Sequence, residues 1–490
     1  MKKNISCLTL RALAVLATLS MLAMLVSCSV PPKKESWGTI SNAELRDKIM
    51  GSWIGQMVGV AWAAPVEFHY NGYIMPEDKV PVWESKTVND AFGQDDLFVE
   101  ARLLEAFEDH GLDATLDEIA PIFTKLPSWM CHANYQGRLN LLLGIEPEMA
   151  GHYLNNFHAD DIDWQIEADF LGNFYPGMPA QAAQRAFEIG HLMNYGDGVY
   201  GGVFVAAMHA AAFMTNDLRA VINAGIQSVP ENTKFRTVCE KVVECYDQGM
   251  AWEDAWQVVE DNWGTDDKCP EISGSFNIDA KLNAAYILIG LLWGKGDFED
   301  TIVISMRCGQ DSDCNPSNAA GILGTMYGFS GLPTEYTQEV DWFVGRFMQT
   351  KYSLMDCIDV SVELAQQALT ASGATCSEDG VWSLYADNSV VAVPYEQWPD
   401  DVMTAYLELT AKEGTTVEIK SACVLPEDIR YSNITCSFDY GDGTVKEETI
   451  LYPYLVSTHT YAQPGTYTVK MTATSEGYTA TVERTVEVKG

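Results

Sequence analysis

Cys308-Gly309-Gln310-Asp311-Ser312-Asp313-Cys314-Asn315 runs directly into a stretch of small residues at 316–328. Two carboxylates two residues apart, placed just before a predicted helix start, put several oxygen donors on one rigid corner. Such a corner suits a hard metal ion. Asp and Asn also cap helices and close turns, so the reading depends on where else in the chain acids gather.

Two further stretches supply them. Asn89-Asp90-Ala91-Phe92-Gly93-Gln94-Asp95-Asp96 opens a predicted amphipathic helix over 94–110, with Leu97, Ala101, Leu104 and Phe107 on one face and Gly111 at its end. Earlier, Gly51, Gly55 and Gly59 recur every fourth residue along a helix that Ser41-Asn42-Ala43-Glu44 would start as a capping box. That glycine groove implies close packing of a neighbouring helix, whatever the chemistry. Glu67 follows Pro65 in the loop beyond it, as a solvated loop acid or as part of a site.

In this order the three stretches resemble the ADP-ribosylglycohydrolase family of all-helical hydrolases, over roughly residues 41–350. The resemblance implies that a glycine-spaced helix with a trailing Glu, a Thr-Asp-Asp corner and a late Gly-Gly-Asp-Thr-Asp-Thr turn together hold two Mg2+ ions. Carried onto this chain, the metal residues are Gln94, Asp95, Asp96, Asp311, Asp313 and Cys314, with Glu67 or Asp96 as the acid/base. Three positions depart from the pattern: Val60 replaces an Asp after the third glycine, Gln94 replaces the first Thr of the corner, and Cys314 replaces the last Thr of the turn. The glutamine amide still binds a hard ion, whereas sulfur is a poor magnesium ligand. The family also has a glycine-rich substrate loop near Gly172-Asn173-Phe174-Tyr175-Pro176-Gly177. That makes Asp169, Asn173 and Tyr175 candidate substrate contacts, with a plain exposed loop as the alternative. His191 reads as a capping or core histidine, and Asp197, in Gly196-Asp197-Gly198, reads as a turn residue or a substrate contact.

The chain as a whole bounds these readings. At 490 residues it exceeds one hydrophobic core. Lys2, Lys3 and Arg11, a short apolar run and Leu25-Val26-Ser27-Cys28 read as an export signal with a bacterial lipoprotein processing site, Cys28 carrying the lipid. A cleaved signal with an incidental cysteine is the alternative. The expected address is the cell envelope, anchored in the outer membrane. Loss of the signal's three positive charges takes the net charge from −38 to −41, which excludes nucleic acid as a bulk partner. Ten cysteines remain in the mature body; no C-x-x-C pair occurs, so spacing gives little support to a structural zinc site. Cys423 and Cys436 are the expected disulfide, since an exported protein permits one.

Helices are predicted over 112–123 and 135–143, over a stretch at 278–293 that is apolar on nearly every side, and onward to residue 371. Beyond 372 the composition changes, and from about residue 415 the chain alternates as strands do. Phe438-Asp439-Tyr440-Gly441-Asp442-Gly443-Thr444, with His459-Thr460-Tyr461-Ala462-Gln463-Pro464-Gly465-Thr466-Tyr467, resembles the PKD family of extracellular β-sandwiches. The expected architecture is mainly α: signal 1–27, tether 28–40, helical domain 41–371, connector 372–409 and β-sandwich 410–490.

Carboxylates Glu67, Asp95, Asp96, Asp311 and Asp313 would repel one another unless cations bind. Two Mg2+ ions fit an oxygen donor set without histidine, with Mn2+ as the competitor. By the resemblance, the ions grip two ribose hydroxyls and set the anomeric carbon beside an activated water. Three functions follow: hydrolysis of an ADP-ribosyl or related riboside bond; hydrolysis of a glycan or furanoside, favoured by an exported address; or binding without catalysis.

Overall fold

The computed structural model describes residues 36–269, 275–385, 388–450 and 454–490. The signal and Cys28 lie outside them. Helical segments fill 42–371, and three antiparallel sheets follow or flank them.

The helical domain is built round α1 (Asn42–Ala63), which starts where Ser41 Oγ accepts the Glu44 amide at 3.1 Å. From Gly51 to Ala63 every residue is buried, so α1 is enclosed by protein, as a helix without a polar face must be. By length and composition it could cross a membrane, but 83% of its most apolar window is covered by the rest of the chain. Its closest partner is the helix after the metal turn. A Cβ on Gly51, Gly55 or Gly59 would lie 2.1, 2.1 or 2.4 Å from the carbonyl oxygens of Gly324, Ala320 and Pro316. The glycines thus let two backbones touch.

The other helices include α2 (Asp95–His110), α3 (Asp163–Ile166), α4 (Asp169–Phe174), α5 (Asp197–Ala212), α6 (Ala280–Gly294) and α7 (Phe298–Arg307); the partner of α1 is α8 (Cys314–Tyr327), and α9 (Leu354–Ala371) follows. The predicted buried helix at 278–293 is α6, and α9 ends at the expected residue. The predicted helices at 112–123 and 135–143 occur as Leu116–Phe123 and His132–Leu142.

The connector carries structure of its own. Strand β1 (Gly38–Ser41) pairs with β3 (Val381–Leu384), which also pairs with β2 (Thr375–Cys376). The end of the expected tether is therefore stitched to the connector. Further on, Val393 N donates to Ser228 O, Glu396 bonds His191 and the Gly196 amide, and Trp398 stacks on Tyr153.

The sandwich begins at Thr404, six residues ahead of the expected boundary, because β4 (Thr404–Ala411) is the edge of its first sheet. That sheet runs β4-β5-β8, with β5 (Thr416–Val424) and β8 (Tyr454–Thr460). The second runs β10-β9-β6-β7, from β6 (Ile434–Asp439), β7 (Val445–Ile450), β9 (Gly465–Ser475) and β10 (Tyr478–Val488). Val417, Ile419, Phe438, Val469 and Met471 fill the space between them. Cys423 and Cys436 both lie in that core, as free thiols and not as the expected disulfide.

Candidate metal centre

Three segments converge. In the first, Gln94 is extended (φ −84, ψ 139) and starts α2 through its backbone, without a side-chain capping bond. Asp95 and Asp96 then fall in the first helical turn. The apolar face of α2 draws Asp96 fully inside while Asp95 stays half-buried. In the second, the chain turns through Gly309 (φ +85) and Gln310 (φ +56) before Asp311, Ser312 and Asp313 lead into α8. Gln310 is held in that unusual conformation by its own amide, which accepts from Asn277 N and donates to Ser275 O.

The third segment is the loop after α1, which lies along the turn. Gln310 N donates to Tyr70 O, Phe68 N donates to Gln310 O (both 3.1 Å), and Ser312 Oγ donates to Val66 O at 3.0 Å. This seam sets Glu67, whose side chain is partly exposed to solvent, against Asp311 and Asp313.

The electrostatics follow from crowding. Burial raises the carboxyls of Asp96, Asp311 and Asp313 well above the ordinary range. Charges add to it: Asp313 and Asp95 on Asp96, Glu67 on Asp311, and Asp311 on Asp313. Glu67 is raised by burial and then by Asp95. One oxygen each of Asp311 and Asp313 lies within 4.8 Å of the other and of the Cys314 sulfur. Asp96 Oδ1 and Asp311 Oδ1 are buried without a hydrogen-bond partner. Crowded and orphaned oxygens of this kind fit a hard divalent cation.

Cys314 stands within 4.8 Å of the Asp311 and Asp313 oxygens. Its Sγ donates to Asp96 Oδ2 at 3.3 Å, and burial among these acids keeps the thiol protonated by raising its pKa. It is therefore placed to orient Asp96 rather than to bind a hard ion itself.

Compared with known proteins, residues 41–373 match the family model for ADP-ribosylglycohydrolase, and residues 403–488 match that of the PKD domain. The chain belongs to the ADP-ribosylglycohydrolase family. Its helical domain is that of a family of hydrolases, and the expected PKD domain follows it. A curated relative, ADP-ribosylarginine hydrolase Tri1 of Pseudomonas putida (strain GB-1), is 31% identical over 51 residues, 10% of this chain. The chain spans only 14% of that relative's length. A solved structure described as an ADP-ribosylglycohydrolase-related protein complex aligns with TM-score 0.46 and 14% identity, over 66% of this chain and 99% of its own.

Within the ADP-ribosylglycohydrolase domain, Asp169 and Asn173 are not surface groups. Asp169 is fully buried, with Oδ1 bonded to His209 Nε2 and Oδ2 accepting from Asn318 Nδ2, both at 2.7 Å; Asn173 Nδ2 donates to Ser52 Oγ. The predicted substrate loop is instead helix α4, whose Gly172 packs on α5, so these polar groups tie α4 to α1, α5 and α8. Tyr175 lines a different groove, with Arg185 and His191. Asp197 starts α5 beside Lys234 and Asp400, under the connector.

Nearer the centre lie acids that sequence reading passed over. Glu167 is buried and raised by burial, then by Asp163, Asp95 and Asp96; Asn134 Nδ2 donates to it. Asp163 accepts the Ala133 and Asn134 amides and is pushed up to about 7, chiefly by burial. Glu100, one turn below Asp96, accepts the Phe170 amide. Spacings of four residues, 96 to 100 and 163 to 167, were the available signal.

Proposed function

We propose that the protein is a divalent-metal-dependent hydrolase of ADP-ribosyl linkages. The observation that carries this reading is the convergence of Glu67, Asp95, Asp96, Asp311 and Asp313 from three distant segments, four of them in or beside helix starts and one partly exposed to solvent. Asp95, Asp96, Asp311 and Asp313 would hold the ions, Mg2+ in first place and Mn2+ in second. Held by these four acids, divalent ions would neutralise the carboxylates and would supply Lewis-acid polarisation of ribose hydroxyls.

The chain's own groups do the rest. Glu67 reaches solvent with a raised pKa, which suits it to exchange a proton with the attacking water and the leaving group. Asp96 is buried and tied to the Cys314 thiol, which favours a positioning role over proton transfer. The relative named an ADP-ribosylarginine hydrolase makes an arginine-linked ADP-ribose the first substrate to test. The export reading of residues 1–28 belongs to this proposal: a chain acylated at Cys28 would meet its substrate in the envelope, and labelling with a fatty-acid analogue, lost in Cys28→Ala, tests that part separately.

The decisive assay offers ADP-ribosylated protein, aryl furanosides and aryl pyranosides, with Mg2+ or with chelator. Magnesium-dependent ADP-ribose release, abolished by Asp311→Ala with Asp313→Ala, is the expected result. Sugar release alone would move the function to glycan breakdown. Silence on all substrates would leave a binding protein.

A further inference from the structure

A cleft of about 460 Å³ runs between the helical domain and the sandwich, lined among others by His132, His158, Tyr406 and Arg484. At its foot, His158 Nδ1 is 2.6 Å from Asp161 Oδ2 and 3.1 Å from Cys269 Sγ. Both groups approach the same ring nitrogen. In a nucleophilic Cys–His–Asp relay the thiol and the carboxylate take opposite nitrogens of the imidazole, and here Cys269 Sγ is 4.0 Å from Nε2. One nitrogen shares one proton with one neighbour, so a relay does not explain the convergence. Three donor atoms of different kinds within 4.8 Å of one another are close enough to share one metal ion.

The surroundings point the same way. Asp161 Oδ1 and Asp160 Oδ1 are buried and have no hydrogen-bond partner, although Asp161 is fully enclosed. Asp160, Asp161 and Asp267 bring carboxylate oxygens within 4.8 Å of one another. Among the described residues no lysine or arginine forms an ion pair with any of these three; Lys281 is taken by Asp279 and Asp266. The donors are also held in place. Asp161 and Asp279 form an isolated antiparallel bridge, His158 N donates to Asn156 Oδ1, and Cys269 N donates to Asp267 Oδ1.

We propose that His158, Asp161 and Cys269 form a second metal site, separate from the oxygen-donor centre, that takes a borderline divalent ion of the zinc class. An imidazole, a thiolate and a carboxylate together select zinc or cobalt over magnesium. The ion would tie the loop before α3 to the segment at 267–269, with the cleft as its entry path. On binding, Cys269 gives up its thiol proton to solvent and His158 Nδ1 presents its lone pair.

The test uses cobalt as a spectroscopic stand-in. The purified protein, stripped with chelator and resupplied with excess Mg2+, is titrated with Co2+. The expected result is one equivalent bound with a thiolate-to-cobalt charge-transfer band, displaced by Zn2+. The band persists in Cys314→Ser and in Asp311→Asn with Asp313→Asn, disappears in Cys269→Ser, and needs more than about tenfold higher Co2+ in His158→Gln. Absence of the band in the wild-type protein, or its loss in Cys314→Ser rather than Cys269→Ser, would overturn the proposal. The wild-type and Cys314→Ser spectra decide it even where the other variants fold poorly.

Discussion

A Cβ on Gly309 would lie 2.0 Å from the Tyr70 carbonyl oxygen, on a backbone already at φ +85. Gly309→Ala should therefore open the seam between the 66–70 loop and the metal turn, at a cost of about 1–3 kcal/mol in strain before any clash. The magnesium-induced rise in melting temperature is the readout, and it should vanish. Asp313 makes the opposite point. In stripped protein its carboxyl is raised by burial and then by Asp311, so the folded state binds protons that the unfolded state releases. Stability then rises as pH falls from the raised value towards the ordinary carboxylate range. Asp313→Asn should flatten that dependence and make stripped protein at least as stable at neutral pH, while abolishing the gain from Mg2+. Calorimetry against pH, with and without chelator, checks both. Sequence named these acids because Asp-Ser-Asp before a helix is legible. It passed over Glu167 and Asp163 because a four-residue spacing of acids marks a shared helix face, but not that the face turns towards a centre assembled from elsewhere.

Two helices decide where the centre forms. Gly55→Ala places a Cβ 2.1 Å from Ala320 O, and neither backbone has room to yield. Overpacking of this kind costs about 1–3 kcal/mol or more, and it should displace the start of α8 and weaken Mg2+ binding as well as lower the melting temperature. The spacing of the glycines announced such a groove; which helix fills it is a tertiary fact. The contact of the connector with helix Pro179–Gly190 gives a pH test. His191 Nδ1 faces Phe187 O at 2.7 Å and Nε2 faces Glu396 at 2.9 Å, an arrangement in which both nitrogens of the protonated ring donate. Burial opposes that charge, but the Glu396 hydrogen bond and charge outweigh it and raise the pKa. The stabilisation is complete below the ordinary histidine value of about 6.5 and is lost as pH rises through the raised one. Glu396→Gln should lower the His191 pKa, followed by NMR, and remove about 1.5–3 kcal/mol at pH 6 but little at high pH.

At the scale of the whole molecule, the sandwich is docked and not merely appended. Trp398, Tyr406, Ala422 and Val424 share an apolar cluster with Ala159, and Tyr135 OH donates to Glu408 at 3.0 Å. Trp398→Ala should cost about 3–5 kcal/mol, separate one calorimetric transition into two, and speed amide exchange at 153–159. By itself the sequence determined the class of each part: a helical domain with a carboxylate centre, then a β-sandwich. Periodicity, glycine spacing and short acidic motifs are local, and local rules set them. Only the tertiary structure decided that Glu67 is the acid facing solvent, that Asp169 and Asn173 are interior ties, and that His158, Asp161 and Cys269 meet. Those outcomes depend on which backbones approach across more than a hundred residues, and burial, which sets the chemistry of each acid, exists only once they have.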